Sequence, residues 1–249
     1  MAVFERDGVA IHHDLEGVAD GFPVLLIAPG GMRSANDKWN AMPWNPRVAL
    51  ADSYHLIGMD QRNAGRSTAP VSGGDGWATY AGDQLGLLDH LGVARCHVVG
   101  MCIGGPYIVG LLTAAPERFA SAVLLQPVGI DGNRDVFDDV FDGWRDEIAA
   151  DHPEATDADW AAFKSNMWDG DFVLTATREQ VAAIDVPMLV AMGNDQYHPS
   201  STSREIAALA PDVRFLERWK DDESLPATDA AIRSFLADHT PGVGGRPGG

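Results

Sequence analysis

Cysteine is scarce in this chain. Only Cys96 and Cys102 occur in 249 residues, separated by one expected strand and turn. A disulfide framework is therefore not expected, and a reducing cytoplasm is the compartment that fits. Long apolar runs are lacking too, so no segment reads as long enough to span a bilayer. The start, Met1-Ala2-Val3-Phe4-Glu5-Arg6-Asp7, has no apolar signal-peptide core. Basic residues are few: 18 Lys and Arg stand against 36 Asp and Glu, for a formal net charge of −18. An acidic surface disfavours nucleic acid and anionic membranes as partners, and it says nothing about a reaction. No Cys, His and Asp grouping has the spacing of a zinc site, so neither metal nor other cofactor is expected. No internal repeat is visible.

What the chain does contain is Val98-Val99-Gly100-Met101-Cys102-Ile103-Gly104-Gly105. A β-branched pair leads into a Gly-rich turn, and Tyr107-Ile108-Val109-Gly110-Leu111-Leu112 then continues as a helix. Small residues two before and two after Cys102 let the backbone hold a strained turn there. This is the pattern of a nucleophile elbow, G-x-S-x-G, with cysteine in place of serine. The bland alternative is a buried thiol in a Gly-rich turn. The strand before, the helix after and the position within an α/β domain favour the elbow and a nucleophilic thiol.

Elsewhere strands and helices alternate. Val9 to His13 reads as a strand paired in a hairpin with Val3 to Arg6. Phe22 to Ala28 is a continuous apolar run ending in Pro29-Gly30-Gly31-Met32. Residues 39–52, with Trp39 and Trp44, read as an irregular or short helical connection. His55 to Met59 is a strand ending in Asp60-Gln61-Arg62-Asn63-Ala64-Gly65-Arg66-Ser67. Thr79 to Leu91 reads as an amphipathic helix stopped by Gly92. Further strands are expected at Cys96 to Val99, Ala120 to Leu125, Pro187 to Met192 and Val213 to Trp219, and a last helix at Ala227 to His239. The tail, residues 240–249, is rich in Gly and Pro and reads as disordered. Near-continuous apolar strands alternating with helices specify a mostly parallel sheet covered on both faces. Ligands in such folds bind beyond the carboxyl ends of the strands, where these turns gather.

Residues 131–183 differ in character. Trp144, Trp160, Trp168, Phe137, Phe141, Phe163 and Phe172 stand there among many acids, at spacings that suggest three short helices. Such an insertion is expected to sit over the strand ends as a helical lid. Most of its aromatics are expected to pack it onto the sheet, and one or two to line a substrate cavity. The α/β core is then residues 1–130 and 184–239.

Together these residues resemble the α/β-hydrolase family, from Val24 to Leu236. Pro29-Gly30-Gly31 stands where the family carries an oxyanion-hole turn. Asp60 to Ser67 resembles its Asp-x-Arg-Gly-x-Gly-x-Ser turn, with Asn63 replacing a glycine; Asn is the residue that, after Gly, best tolerates positive φ. Gly100-Met101-Cys102-Ile103-Gly104 matches the elbow. Gly193-Asn194-Asp195, with Pro199 following, resembles the turn that carries the acid and places Asp195 there. The resemblance implies an oxyanion hole from the backbone N–H groups of Ile103 and of Gly31 or Met32.

Two departures stand out. The nucleophile is Cys rather than Ser, as in some dienelactone hydrolases and in polyester synthases of this fold. The family's histidine, which should follow the last strand, is missing from Lys220-Asp221-Asp222-Glu223-Ser224-Leu225-Pro226, and His239 comes too late in the chain. His198, in Asp195-Gln196-Tyr197-His198-Pro199, is the candidate base, with Asp195 orienting it or merely capping the turn. The alternative is a surface turn residue held extended by Pro199. His12, His13, His55, His90 and His97 have weaker claims, and nothing positions His152. Ser34 and Ser67 read as structural. A thiolate needs its base less than an alkoxide does, and a helix N-terminus lowers its pKa.

The leading expectation is an enzyme without cofactor in which Cys102 attacks a small activated acyl compound: an ester, a lactone or a thioester. Acyl transfer or non-hydrolytic lyase chemistry on the same fold is the rival. A binding protein that has lost catalysis is the competing class. The sequence carries no sign of the oligomeric state.

Overall fold

The apolar runs become the middle of one twisted sheet in the computed structural model, which describes residues 2–242. Its strands are β1 (Ala2–Arg6), β2 (Val9–Gly17), β3 (Pro23–Ile27), β4 (His55–Met59), β5 (Cys96–Met101), β6 (Phe119–Leu125), β7 (Met188–Ala191) and β8 (Val213–Leu216). The spatial order is β1-β2-β4-β3-β5-β6-β7-β8. The β1–β2 hairpin joins antiparallel at the β4 edge, and all pairings from β4 to β8 are parallel. Every residue of β5 and β6 is buried. In β1 only Phe4 is, as befits an edge strand with one solvated face.

Successive strand residues point to opposite faces, so each apolar run feeds two cores. Leu25, Ile27, Val98 and Leu124 belong to one core, with Leu87, Ile108 and Leu112 from the helices. Val24, Leu26, Val99 and Val123 belong to the other, with Trp39, Leu50, Ile232 and Phe235. The helices are α1 (Pro46–Ala49), α2 (Trp77–His90), α3 (Gly104–Ala114), α4 (Arg134–Ile148), α5 (Asp157–Trp168), α6 (Arg178–Ala182), α7 (Ser200–Leu209) and α8 (Leu225–Asp238). No helix among the described residues is long and apolar enough to cross a membrane.

Three sequence expectations shift. β8 stops at Leu216 rather than Trp219; the Trp219 indole instead donates to the Met192 carbonyl at 2.9 Å, in a turn beyond the strand. α7 was not foreseen, because Ser200-Ser201-Thr202-Ser203 is a poor helix-forming opening. The segment between β6 and β7 holds two full helices and one short one, of 15, 12 and 5 residues, rather than three short ones. In the tail, Thr240 is ordered against the core: its hydroxyl is 3.0 Å from His97 Nε2 and donates to the Leu236 carbonyl. Residues 243–249 lie outside the described residues.

Candidate active site

The turn after β5 is as tight as its glycines imply. Cys102 has φ 60°, in the left-handed region that non-Gly residues rarely occupy. A Cβ on Gly100 would meet Gly104 Cα at 3.0 Å, and one on Gly104 would meet the Ile27 carbonyl oxygen at 2.8 Å. Only glycines let the first turn of α3 close onto the ends of β3 and β5. β6 straps the turn in place: the Cys102 N–H donates to the Leu125 carbonyl at 3.0 Å, and the Val128 N–H donates to the Cys102 carbonyl at 3.1 Å. Over-determination of this kind holds a strained residue in position. The Cys102 side chain, partly buried, stands at the N-terminus of the eleven-residue α3.

The loop after β7 brings the acid and the histidine together. Asp195 accepts from the backbone N–H groups of Tyr197 at 3.0 Å and His198 at 3.1 Å, which closes a local turn. The same carboxylate lies 2.7 and 2.9 Å from His198 Nδ1. A carboxylate only accepts, so Nδ1 carries the proton and Nε2 is the ring's remaining nitrogen. Nε2 is buried and meets no hydrogen-bond partner among the described residues. His198 is 7% exposed and shares a cavity wall with Cys102.

The electrostatics of the three groups agree with this placement. Burial pushes the Cys102 thiol up, but interaction with His198 and with the backbone amides of Gly30 and Ile103 outweighs burial and holds it below the usual thiol range. Burial opposes charge on His198 as well, and Cys102 and Asp195 together raise it above the ordinary imidazole value. The Asp195 carboxyl is held low by His198 and the turn amides in spite of desolvation. A thiol lowered and an imidazole raised describe a pair that favours thiolate and imidazolium.

The cavity has a volume of about 220 Å³ and holds Gly30, Gly31, Ile103 and Arg33 in its wall beside Cys102 and His198. Gly31 has φ 59°, and a Cβ there would press on Val140 of α4 at 3.0 Å. Met32 turns its side chain into the core and is absent from the wall. Sequence reasoning missed Gly30, whose amide favours the thiolate; its position one residue before the expected pair was the only signal. It also could not say which aromatics of residues 131–183 face the cavity. Phe137 and Trp168 do, with Val140. Trp144, Trp160, Phe141 and Phe163 instead form a cluster of their own, edge-to-face except for Trp160 and Phe163, which lie near parallel at 15°.

The other candidates have structural partners. Asn63 has φ 54°, as its Gly-like position requires, and its side chain accepts from the Ala69 N–H at 2.7 Å. Ser34 donates to the Ala28 carbonyl and Ser67 to that of Asp60. His152 lies 2.9 Å from Glu154, outside the cavity wall. His97 is fully buried between Ser121 and Thr240. Where the family's histidine was expected, the Lys220 ammonium donates to Gln126 at 2.7 Å. Among the described residues, no three His, Cys, Asp or Glu side chains group to hold a metal ion.

A parallel sheet with this strand order, a strained Cys turn at its centre and an Asp–His loop beside it define a class, and comparison with known proteins agrees. Residues 23–171 match the family model described as alpha/beta hydrolase fold. The chain belongs to the α/β-hydrolase fold family. Among curated relatives, a Variovorax paradoxus protein carrying the name carbamate hydrolase is 39% identical over 119 residues, 46% of this chain and 41% of that protein. A Bacillus subtilis protein named an uncharacterized carboxylesterase is 23% identical over 81% of this chain and 73% of its own length. The matched segment thus spans about two fifths of the first of these relatives. Of solved structures, a hydrolase from Pseudomonas aeruginosa superposes with TM-score 0.73 at 24% identity, covering 94% of this chain and 97% of its own. An enol-lactonase from Burkholderia xenovorans superposes with TM-score 0.69 at 21% identity, covering 94% and 99%.

Proposed function

We propose that this protein is a cysteine-dependent acyl hydrolase that acts on small activated esters, lactones or thioesters. The observation that carries the reading is the meeting of His198 and Cys102 at one cavity, with His198 Nδ1 fixed by Asp195 at 2.7 Å. Nδ1 held by a carboxylate leaves Nε2 to serve the nucleophile, which is the logic of a triad whatever its order in the chain. Here base and acid share one loop.

The chemistry follows from these roles. The Cys102 thiolate attacks the acyl carbon, and the carbonyl oxygen takes up negative charge. Backbone N–H groups of Ile103 and of Gly31 or Met32, in the turn that begins at Gly30, stabilise that charge. The bond to the leaving group breaks, the group takes its proton from the His198 imidazolium, and a thioester remains on Cys102. Neutral His198 then removes a proton from water, and the resulting hydroxide attacks the thioester. The carboxylic acid departs, and thiolate and imidazolium are restored. Asp195 orients the ring and stabilises its charged form. The helices between β6 and β7 act as a lid, excluding water from the cavity and strengthening these interactions. The buried thiol of Cys96 has no part in the reaction.

Mixing the protein with an activated aryl ester tests the reading. The expected result is a rapid burst of released phenol followed by steady turnover. A burst without turnover would favour transfer to an acceptor other than water, and no burst would favour a binding protein.

A further inference from the structure

The cavity beside Cys102 is small, largely apolar and walled by rings. Its volume of about 220 Å³ is below the 300–1,000 Å³ usual for ligand sites, while a dry apolar cavity of about 150 Å³ is enough to hold benzene. One ring-sized group fills it, and a long acyl chain would have to leave it.

The rings come from three separate segments. Phe137 of α4 and Trp168 at the end of α5 stack at 4.9 Å with 7° between their planes. Tyr197, in the loop between Asp195 and His198, meets Phe137 edge-on at 6.3 Å and 67°. All three line the cavity; Tyr197 is 37% exposed, whereas Phe137 and Trp168 are 2% and 1% exposed and show it only a small part of their rings. The indole N–H of Trp168 is buried with no acceptor among the described residues, whereas those of Trp77, Trp144 and Trp219 each reach a backbone carbonyl. Ring packing, not a hydrogen bond from its indole, therefore sets the Trp168 side chain in this wall.

Charge in the wall is already spent. Among the described residues the one lysine or arginine there is Arg33, and Glu147 of α4 holds its guanidinium by two hydrogen bonds at 2.7 and 2.8 Å. The His198 imidazolium faces the Cys102 thiolate and Asp195. A carboxylate on the acyl group would have to displace Glu147 to meet a cation, or enter the apolar cavity unpaired at a desolvation cost.

We infer that the acyl group accepted at Cys102 is uncharged, planar and of single-ring size, and that the ring wall of Tyr197, Phe137 and Trp168 selects it. The inference rests on the reading of Cys102 as an acyl-accepting nucleophile. Offset or edge-on packing between two aromatic rings is worth roughly 2- to 12-fold per pair beyond area burial. Cyclohexanecarbonyl, similar in size but not planar, lacks that term.

The test uses thioesters of N-acetylcysteamine carrying acetyl, benzoyl, cyclohexanecarbonyl, octanoyl or succinyl groups. First-turnover thiol release is divided by each ester's rate with hydroxide. Benzoyl is expected to exceed cyclohexanecarbonyl by about tenfold or more, with succinyl slowest. Trp168→Leu should bring the benzoyl to cyclohexanecarbonyl ratio toward one, while Trp168→Phe, which keeps a ring, should retain most of it. If Trp168→Leu fails to fold, Tyr197→Leu, at the 37% exposed rim of the wall, should lower the ratio at least about twofold. A wild-type ratio near one, a succinyl or octanoyl group as the fastest donor, or a ratio that survives in Trp168→Leu or Tyr197→Leu would overturn the inference. Acetyl transfer to Cys102 without aryl preference would sink this inference alone. No acylation by any donor would sink the reading of Cys102 as well.

Discussion

A cysteine and a histidine meet at each end of β5, and the two pairs are in opposite states. At its start, Cys96 is buried with burial pushing its thiol up to about 12, and neighbouring His97 is pushed down to about 3 by the same cause. At its far end, Cys102 is lowered and its partner His198 is raised. Both histidines are buried. The difference lies in what compensates burial. Among the described residues His97 is hydrogen-bonded to the neutral hydroxyls of Ser121 and Thr240, and burial, reinforced by repulsion from His239 and Arg95, favours the uncharged imidazole. His198 has a carboxylate on one nitrogen and an ionisable thiol near the other, and each of the three groups favours the charged form of its neighbour. Burial without charge partners keeps a thiol protonated, and burial with them favours the thiolate.

The contrast is broken most severely at the sulfur. Cys102→Ala should lower kcat/KM toward an activated ester by roughly 10⁴-fold or more, since no other thiol can take the acyl group. Cys96→Ala should keep kcat/KM within about twofold and lose on the order of 1 kcal/mol of stability to the cavity it leaves, read by denaturant melts.

Removing the His198 imidazole should cost less. His198→Ala should lose about 10² to 10⁴-fold in kcat/KM, and Asp195→Asn, which leaves the imidazole in place, should lose less. Without the imidazolium, the Cys102 thiol returns toward its ordinary value. Activity of His198→Ala should therefore rise again at high pH, where the thiol ionises unaided. An unchanged pH profile in that variant would assign the activation to the α3 terminus alone.

In the wild type, the pair sets the pH window. Cys102 is lowered, so the thiolate forms below the usual thiol range and activity should rise there. His198 is raised, so its proton is lost above the ordinary imidazole value and activity that depends on leaving-group protonation should fall there. A bell-shaped profile of kcat/KM should report both limbs.

The smallest effect concerns the other end of β5. The folded pKa of His97 lies below its unfolded value, so its contribution to stability is present above about 6.5 and is lost as pH falls toward 3. Melting temperature should drop across that interval, and His97→Gln should flatten the slope. An equal slope in both proteins would place the acid sensitivity elsewhere.

Much of the fold was legible because the buried strands are near-continuous apolar runs; β4 lies over His55 to Met59 as read. The turn after β5 was legible from its glycines, since the close approach of α3 to β3 and β5 leaves no room for a Cβ at Gly100 or Gly104. The turn Asp195 to His198 was legible only as a spacing, because whether a loop histidine points inward depends on what the loop packs against. α7 was hidden by its serines, and the split of aromatics between wall and packing by the relative placement of α4 and α5, which local pattern does not carry. The Lys220–Gln126 hydrogen bond, made from the stretch where the expected histidine is missing, has no pairwise signal in the sequence.

The central claim is that Cys102 is a nucleophilic thiolate made by His198, and alkylation by iodoacetamide as a function of pH reads it directly. With peptide mapping, Cys102 should be labelled far ahead of Cys96, with a midpoint below the ordinary thiol value of about 8.5 that rises in His198→Ala. Preferential labelling of Cys96, or a Cys102 midpoint that sits at the ordinary value and does not move in that variant, would contradict the account.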